Sequence, residues 1–332
     1  MSPVGSAAYL TDHLPGTTLL AEPLSRHTTY RIGGPADIFL TARSTEELIR
    51  AVDTADQAGI PWHVIGNASN LLVADKGIDG LVIKVLTRKI AVTRLKDGRS
   101  SLRADAGCVL SMVAKKAAES GLGGLEWAAT IPGTVGAAIV NNSGAFGSCV
   151  ADCLEEAELY FPRSGHRTVE SRDLGYAYRT SRLKSGGLVA VVLQATFRTQ
   201  PGEAPTLQAR VTELEELRRA TQPSGSSVGS IFRNPPGNFA GALIEKAGLK
   251  GQARGGAAIS VLHANFIVNR KSALASDVFE LIHQAQLAVW EQDGIWLVPE
   301  IQFLGRWAEE DLALLAEPPR AAPKLQTAPS PR

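Results

Sequence analysis

Apolar positions along the chain follow two rhythms, one near 3.6 residues and one near two, and together they predict a mixed α+β protein. Over residues 44–59, Leu48, Ala51, Val52 and Ala55 recur at helical spacing. Ser44 and Glu47 stand where a capping box belongs, and Gly59 supplies a stop. A second amphipathic helix is predicted over 277–292, where Val278, Leu281, Ile282, Ala285, Ala288 and Val289 form one stripe and Ser276 is the candidate cap. Shorter helices are expected over 111–120, stopped by Gly121, and over 212–220 and 240–247. Strands are expected at 60–66, 81–85, 187–198 and 295–304, the last an edge strand or irregular because of Pro299. Asp97-Gly98 marks a hairpin between IAVTRL and SLRADA. Strands and helices do not alternate regularly, so a doubly wound parallel sheet is not expected.

The Pro/Gly-rich run QPGEAPT, 200–206, is the expected domain boundary. Residues 122–140 are weakly polar, but Glu126, Pro132 and the interspersed glycines argue against a membrane span, so the stretch reads as loop and buried core. The end of the chain, EPPRAAPKLQTAPSPR, is Pro/Ala-rich, and residues 307–332 are expected to be disordered.

Composition narrows the class. A chain of 332 residues is long for one core, which favours two or three domains. With 34 basic and 33 acidic residues the net charge is +1, so no electrostatic pull toward nucleic acid or an anionic membrane is expected. The start, MSPVGSAAYLTDHLPG, lacks the basic and apolar regions of a signal peptide, and a cytoplasmic protein is expected. Cys108, Cys149 and Cys153 fit a reducing compartment. The CxxxC spacing of the last two has no second ligand pair, so all three are expected to be ordinary buried thiols. The six histidines are scattered without HExxH, and no metal site is expected.

Two loops concentrate glycine and small polar residues beside apolar strands. One is Gly66-Asn67-Ala68-Ser69-Asn70, followed by Leu71; the other is Ile131-Pro132-Gly133-Thr134-Val135-Gly136. Such backbone can turn N–H groups toward a pyrophosphate, or can simply form tight turns under a sheet. Neither loop is a P-loop, and Gly121-Leu122-Gly123 fails as a dinucleotide fingerprint because Glu126 replaces the third glycine and a helix precedes it. GSSVG at 225–229 matches the hydrolase elbow only formally, since no strand leads into it.

Eight stretches in order resemble the UDP-N-acetylenolpyruvoylglucosamine reductase family: HTTYRIGGPA, IGNASNLLVAD, IPGTVGAAIVNNSGAFG, YAYRTSRLK, SSVGSIFRNP, LIEKAGLKG, HANFIVN and VPEIQFLG. The resemblance runs from about Thr17 to Gly305 and is similar to the compact subtype. It implies an N-terminal extension over 1–16 and an FAD-binding domain of the PCMH, or vanillyl-alcohol-oxidase, type over 17–200, with two subdomains split near residue 90. A C-terminal α+β substrate-binding domain over 207–306 and the tail from 307 complete the implied layout. It implies noncovalent FAD held by Gly66, Asn67, Ala68, Ser69, Asn70, Leu71, Ile131, Pro132, Gly133, Thr134 and Gly136, with NADPH as reductant. The implied substrate is UDP-N-acetylglucosamine enolpyruvate, contacted by Tyr178 and Asn234, on a protein favoured as a monomer.

By the same resemblance Ser230 matches the proton donor, and Arg179 and Glu300 match the groups that stabilise charge growing beside the substrate carboxylate. Glu300 serves only if protonated or through a water, and strand alternation would set it on one face with Val298 and Gln302. The chain departs from the family pattern at Ala68, where a glycine is usual, and at Ala137, Asn141, Ser143 and Phe146. The alternatives are an FAD-linked oxidase of the same fold and a nucleotide-binding module without catalysis.

Overall fold

The structure is a computed structural model that describes residues 3–14, 18–94 and 100–319. The chain divides into two compact units that interleave in sequence. The first comprises Met1–Glu22, Ala36–Asn67 and Asp79–Ala220, and the second Pro23–Pro35, Ala68–Ile78 and Thr221–Arg332. The sequence pattern placed one break at 200–206, whereas the final changeover between units falls after Ala220. The cause is the helix Ala204–Thr221, which starts inside the proline-rich run with Pro205 in its first turn, where a missing N–H costs no hydrogen bond.

The first unit is built on two sheets. One has four strands in the order Thr18–Pro23, Pro35–Ala42, Ile78–Val85, Trp62–Ile65, the last two parallel. The helix Thr45–Gln57 buries Leu48, Ala51, Val52 and Ala55, the residues its periodicity singles out. Ser44 Oγ accepts the Glu47 N–H at 3.2 Å, but Glu47 reaches back to the N–H of Arg43, not of Ser44, at 2.7 Å. The other sheet is antiparallel, in the order Gly165–Glu170, Leu154–Phe161, Val191–Phe197, Ser100–Asp105, Ile90–Arg94. The expected hairpin is present as the paired strands Ile90–Arg94 and Ser100–Asp105; its turn, Asp97-Gly98, lies outside the described residues. The strands over 154–170 carried no prediction, because Leu154–Phe161 is rich in glutamate and alanine, which are poor strand formers. The stretch 122–140, expected to be loop and buried core, is buried at Leu125, Ala128, Val135 and Ile139 but ends in a helix, Val135–Asn141, packed on the central strand Val191–Phe197.

The second unit wraps its core around the helix Ala275–Asp293, with Tyr30, Ile32, Leu72, Ile231 and Phe232 in the same cluster. Ser276 is not the cap of that helix. Asp75 takes the cap role from 200 residues away, accepting the N–H groups of Ala275 and Ser276 at 2.7 and 3.0 Å and the Ser276 hydroxyl at 3.0 Å. A carboxylate there also suits the positive end of the helix. The strand expected over 295–304 shrinks to Gln302–Leu304, parallel to Leu71–Val73, so alternation does not govern Glu300. The tail is helical over Glu309–Ala316, not disordered from 307. Gln286, fully buried, donates to the carbonyls of Leu297 and Leu315 at 2.8 and 2.9 Å, and Leu315 enters the core. Residues from 320 lie outside the described residues. No helix among the described residues is long and apolar enough to cross a membrane.

Tyr30 is wholly buried, and its hydroxyl has no hydrogen-bond partner among the described residues. Burial also drives its ionisation far above the usual tyrosine range. A buried polar group without a partner costs about 1–3 kcal/mol. Tyr30→Phe is therefore expected to stabilise the protein by about 1 kcal/mol, read as a rise in the thermal midpoint; a fall would mean that the hydroxyl is satisfied.

Candidate active site

In the first unit, Gly66 and Asn67 of the first glycine-bearing loop meet the second loop. A Cβ on Gly66 would lie 2.1 Å from Thr134 Oγ1, and the Asn67 side chain donates to the Pro132 carbonyl at 2.8 Å. Thr134 is almost wholly buried, so this contact has no room to relax. The loops are not equivalent as anion cradles. Val135 and Gly136 donate their N–H groups to the carbonyls of Cys108 and Ala106, at 2.8 and 2.9 Å, so the second loop spends these donors on its own scaffold. By contrast, no N–H of Asn67–Asn70 donates to an acceptor among the described residues. Backbone donors left this way in a folded chain call for an anion or water. Ala68, at the departure from the usual glycine, has φ +50°, a left-handed backbone that costs a residue with a Cβ about 1–2 kcal/mol. Backbone donors of this kind fit the pyrophosphate of a cofactor.

Arg179 sits at the corner of a tight turn in the first unit. Ala177 and Thr180 exchange both backbone hydrogen bonds at 3.2 Å, and Arg179 takes φ +56°. That conformation usually falls to glycine or asparagine at this turn position. The turn is held by the C-terminal end of the helix Val135–Asn141. Asn142, the left-handed C-cap, donates to the Ala177 carbonyl at 3.0 Å and accepts the Ala151 N–H at 3.0 Å. Ser181, buried, donates to the Val140 carbonyl at 2.6 Å. One helix thus runs from the Pro132–Thr134 loop to the Arg179 turn. The guanidinium lies 5.7 Å from the ring centre of exposed Tyr178, and Lys184 donates to the Arg179 carbonyl at 3.2 Å. Asn142 and Ser181 carried no predicted role, although an asparagine closing a short helix is a recognisable left-handed cap.

The second unit brings Ser230, Glu300 and Asn70 into one backbone framework. The Glu300 N–H donates to the carbonyl of Ile231, next to Ser230, at 2.7 Å. Asn70 donates its side-chain amide to the Glu300 carbonyl at 3.3 Å, and its own carbonyl accepts the Gln302 N–H at 2.9 Å. Leu71 then opens the strand paired with Gln302–Leu304. Ser230 and Glu300 are both partly buried. Asn234 is exposed and accepts the Ala240 N–H at 3.1 Å, so its side-chain oxygen serves the helix Ala240–Lys246.

The thiols take no visible part. Burial first, then Asp105, raises Cys108 to about 11, and burial first, then Asp152, raises Cys153 to about 12. Cys149, also raised, is only partly buried, which corrects the expectation of three buried thiols.

A family model described as an FAD binding domain matches residues 36–169, and one described as the C-terminal domain of UDP-N-acetylenolpyruvoylglucosamine reductase matches 221–304. The chain is therefore a flavoprotein oxidoreductase with FAD as its cofactor. The UDP-N-acetylenolpyruvoylglucosamine reductase of Caldicellulosiruptor saccharolyticus is 43% identical over 290 residues, covering 86% of this chain and 91% of the relative. That of Moorella thermoacetica is 43% identical over 288 residues, covering 86% and 93%. The crystal structure of the enzyme from Thermus caldophilus superposes with a TM-score of 0.71 at 33% identity, covering 87% of this chain and 98% of that one. The chain belongs to the UDP-N-acetylenolpyruvoylglucosamine reductase family.

Gly66→Ala is expected to force the two loops apart and weaken FAD binding at least about tenfold, a change of about 1.4 kcal/mol. Quenching of flavin fluorescence on titration reads it, and Thr134→Ala added to Gly66→Ala should recover part of the loss. Unchanged affinity in the single variant would exclude these loops as the cradle.

Proposed function

We propose that the chain reduces UDP-N-acetylglucosamine enolpyruvate to UDP-N-acetylmuramate, with NADPH as the reductant, in the supply of peptidoglycan precursors. The reading is carried by the 43% identity to named reductases over 86% of the chain. Bound FAD supplies hydride relay from NADPH to the methylene carbon of the enol ether. The carbon–carbon double bond becomes single, and the carbon beside the carboxylate gains a proton.

The chain's own residues supply that proton and the charge balance. Ser230 donates from Oγ to the carbon beside the carboxylate. A serine hydroxyl is a weak acid, but the acceptor is a strongly basic carbon, so positioning can suffice. Arg179 offers a planar fork of N–H donors to the carboxylate, where charge grows. Its left-handed turn supports that role, because backbone strain at a bulky residue persists only where surrounding structure holds it. Glu300 acts beside Ser230 through the shared backbone pairing at Ile231. Tyr178 and Asn234 contact the substrate. The reading favours a cytoplasmic location, as expected of a pathway that uses NADPH and UDP-sugars.

An anaerobic absorption trace tests the assignment. The visible flavin band is expected to bleach with NADPH and return when the UDP-sugar is added. Bleaching without return would remove the substrate assignment. In Ser230→Ala the bleaching rate should hold, while the return slows by about 10²–10⁴-fold, the usual cost of losing a general acid; equal slowing of both steps would remove Ser230 from the proton transfer.

A further inference from the structure

We propose that Asn265 is a positioning residue for proton delivery, holding the Ser230 segment in register with Glu300. The inference rests on the function proposed above. The reason lies in how Phe232 meets Pro299. These two residues face each other in an isolated antiparallel bridge, closed by Glu300 N–H to Ile231 O at 2.7 Å and Arg233 N–H to Val298 O at 2.9 Å. In that geometry the facing pair exchanges no hydrogen bonds of its own. Proline is therefore tolerated at 299, and the N–H and C=O of Phe232 turn to the opposite edge. Phe232 is only 2% exposed, so water does not serve them.

Asn265 serves both groups. Its Oδ1 accepts the Phe232 N–H at 2.9 Å, and its Nδ2 donates to the Phe232 carbonyl at 2.8 Å. Its backbone carbonyl accepts the Ile231 N–H at 2.9 Å. One buried side-chain amide thus replaces a missing strand beside the two residues that follow Ser230. Only a group with a donor and an acceptor in one plane can do this, which Asn has and ionised Asp or Leu lacks. Asn265 is itself steadied by His263, whose Nδ1 accepts its N–H at 3.2 Å.

Two consequences separate positioning from mere stability. The segment it holds carries the proton donor, so losing the pair should slow proton delivery and spare reduction by NADPH. The pair also has a protonation signature. In Asn265→Asp an ionised carboxylate sets oxygen against the Phe232 carbonyl, whereas the protonated acid can donate to it and restore the pair. His263 beside Asn265, with Lys250 and Glu245 around it, and Arg233 and Glu300 flanking the bridge are the charged or titratable groups nearby, so rates are compared with wild type at each pH.

The experiment measures both half-reactions of FAD-loaded Asn265→Asp anaerobically between about pH 5.5 and 8, with thermal melts alongside. Near pH 8 the return of the flavin band on adding the UDP-sugar is expected to slow about 10²-fold, a loss in the range of general-acid catalysis. Near pH 5.5 at least about tenfold should be recovered as the acid re-forms its hydrogen bond, and the melting point should rise in parallel. Bleaching by NADPH should stay within about twofold of wild type at both ends. Ile282→Val, buried in the core of the same unit, is the control: a lower melting point with an unchanged return rate.

A return rate that stays unchanged while the melting point falls, as in the control, would overturn the proposal, as would a loss shared by both half-reactions or independent of pH. A variant unfolded even near pH 5.5 would also overturn it, because the protonated acid should rebuild the pair. If wild-type protein bleaches but does not return with the UDP-sugar, the proposed function fails first and the positioning role falls with it. That result is distinct from a working wild type beside a variant that loses nothing.

Discussion

In the second unit, the residues read as the reacting groups depend on one short antiparallel bridge between Phe232 and Pro299. Its two flanking hydrogen bonds fix Ser230 and Glu300 relative to each other through backbone, which is far stiffer than any side-chain contact. Because proline occupies one side, the bridge cannot extend into a full ladder. The remaining backbone groups must then find partners elsewhere, and Asn265 and Asn70 provide them. Such a framework can hold two polar residues in a partly buried place without leaving backbone groups unpaired.

The first unit solves a related problem with a helix of two turns. Val135–Asn141 is stitched at its start to Ala106 and Cys108 and ends in a left-handed asparagine that grips the Arg179 turn. A rigid element thus links the Pro132–Thr134 loop to the turn that carries Arg179. The cost is local strain at Arg179, left-handed without being glycine. Strain of this kind is tolerated where packing over-determines the backbone.

The reach of sequence patterns differed from element to element for identifiable reasons. Thr45–Gln57 and the stripe of Ala275–Asp293 were legible because each buries one face against a core, and burial imposes the helical period. The cap of the second helix was not legible, because Asp75 supplies it from a distant part of the chain in place of Ser276. Leu154–Phe161 was hidden by residues that favour helices, and sheet pairing overrode them. Glu309–Ala316 was hidden by the proline-rich composition around it, although Leu315 is anchored by Gln286.

The same division holds for the site. By itself the sequence determined the chemical inventory and its order: two glycine-bearing loops, an arginine beside a tyrosine, a serine before Ile231 and a glutamate after Pro299. Residue types and their spacing suffice for that, because they record which groups are present. Only the tertiary structure decided which backbone donors remain for an anion, since Asn67–Asn70 keep theirs while Val135 and Gly136 spend theirs on Cys108 and Ala106. It also decided that the bridge of Phe232 with Pro299 brings the segments of Ser230 and Glu300 side by side and that Asn265 completes it. Hydrogen bonds between residues 33 to 230 apart depend on where the folded chain returns, and no local pattern encodes that return.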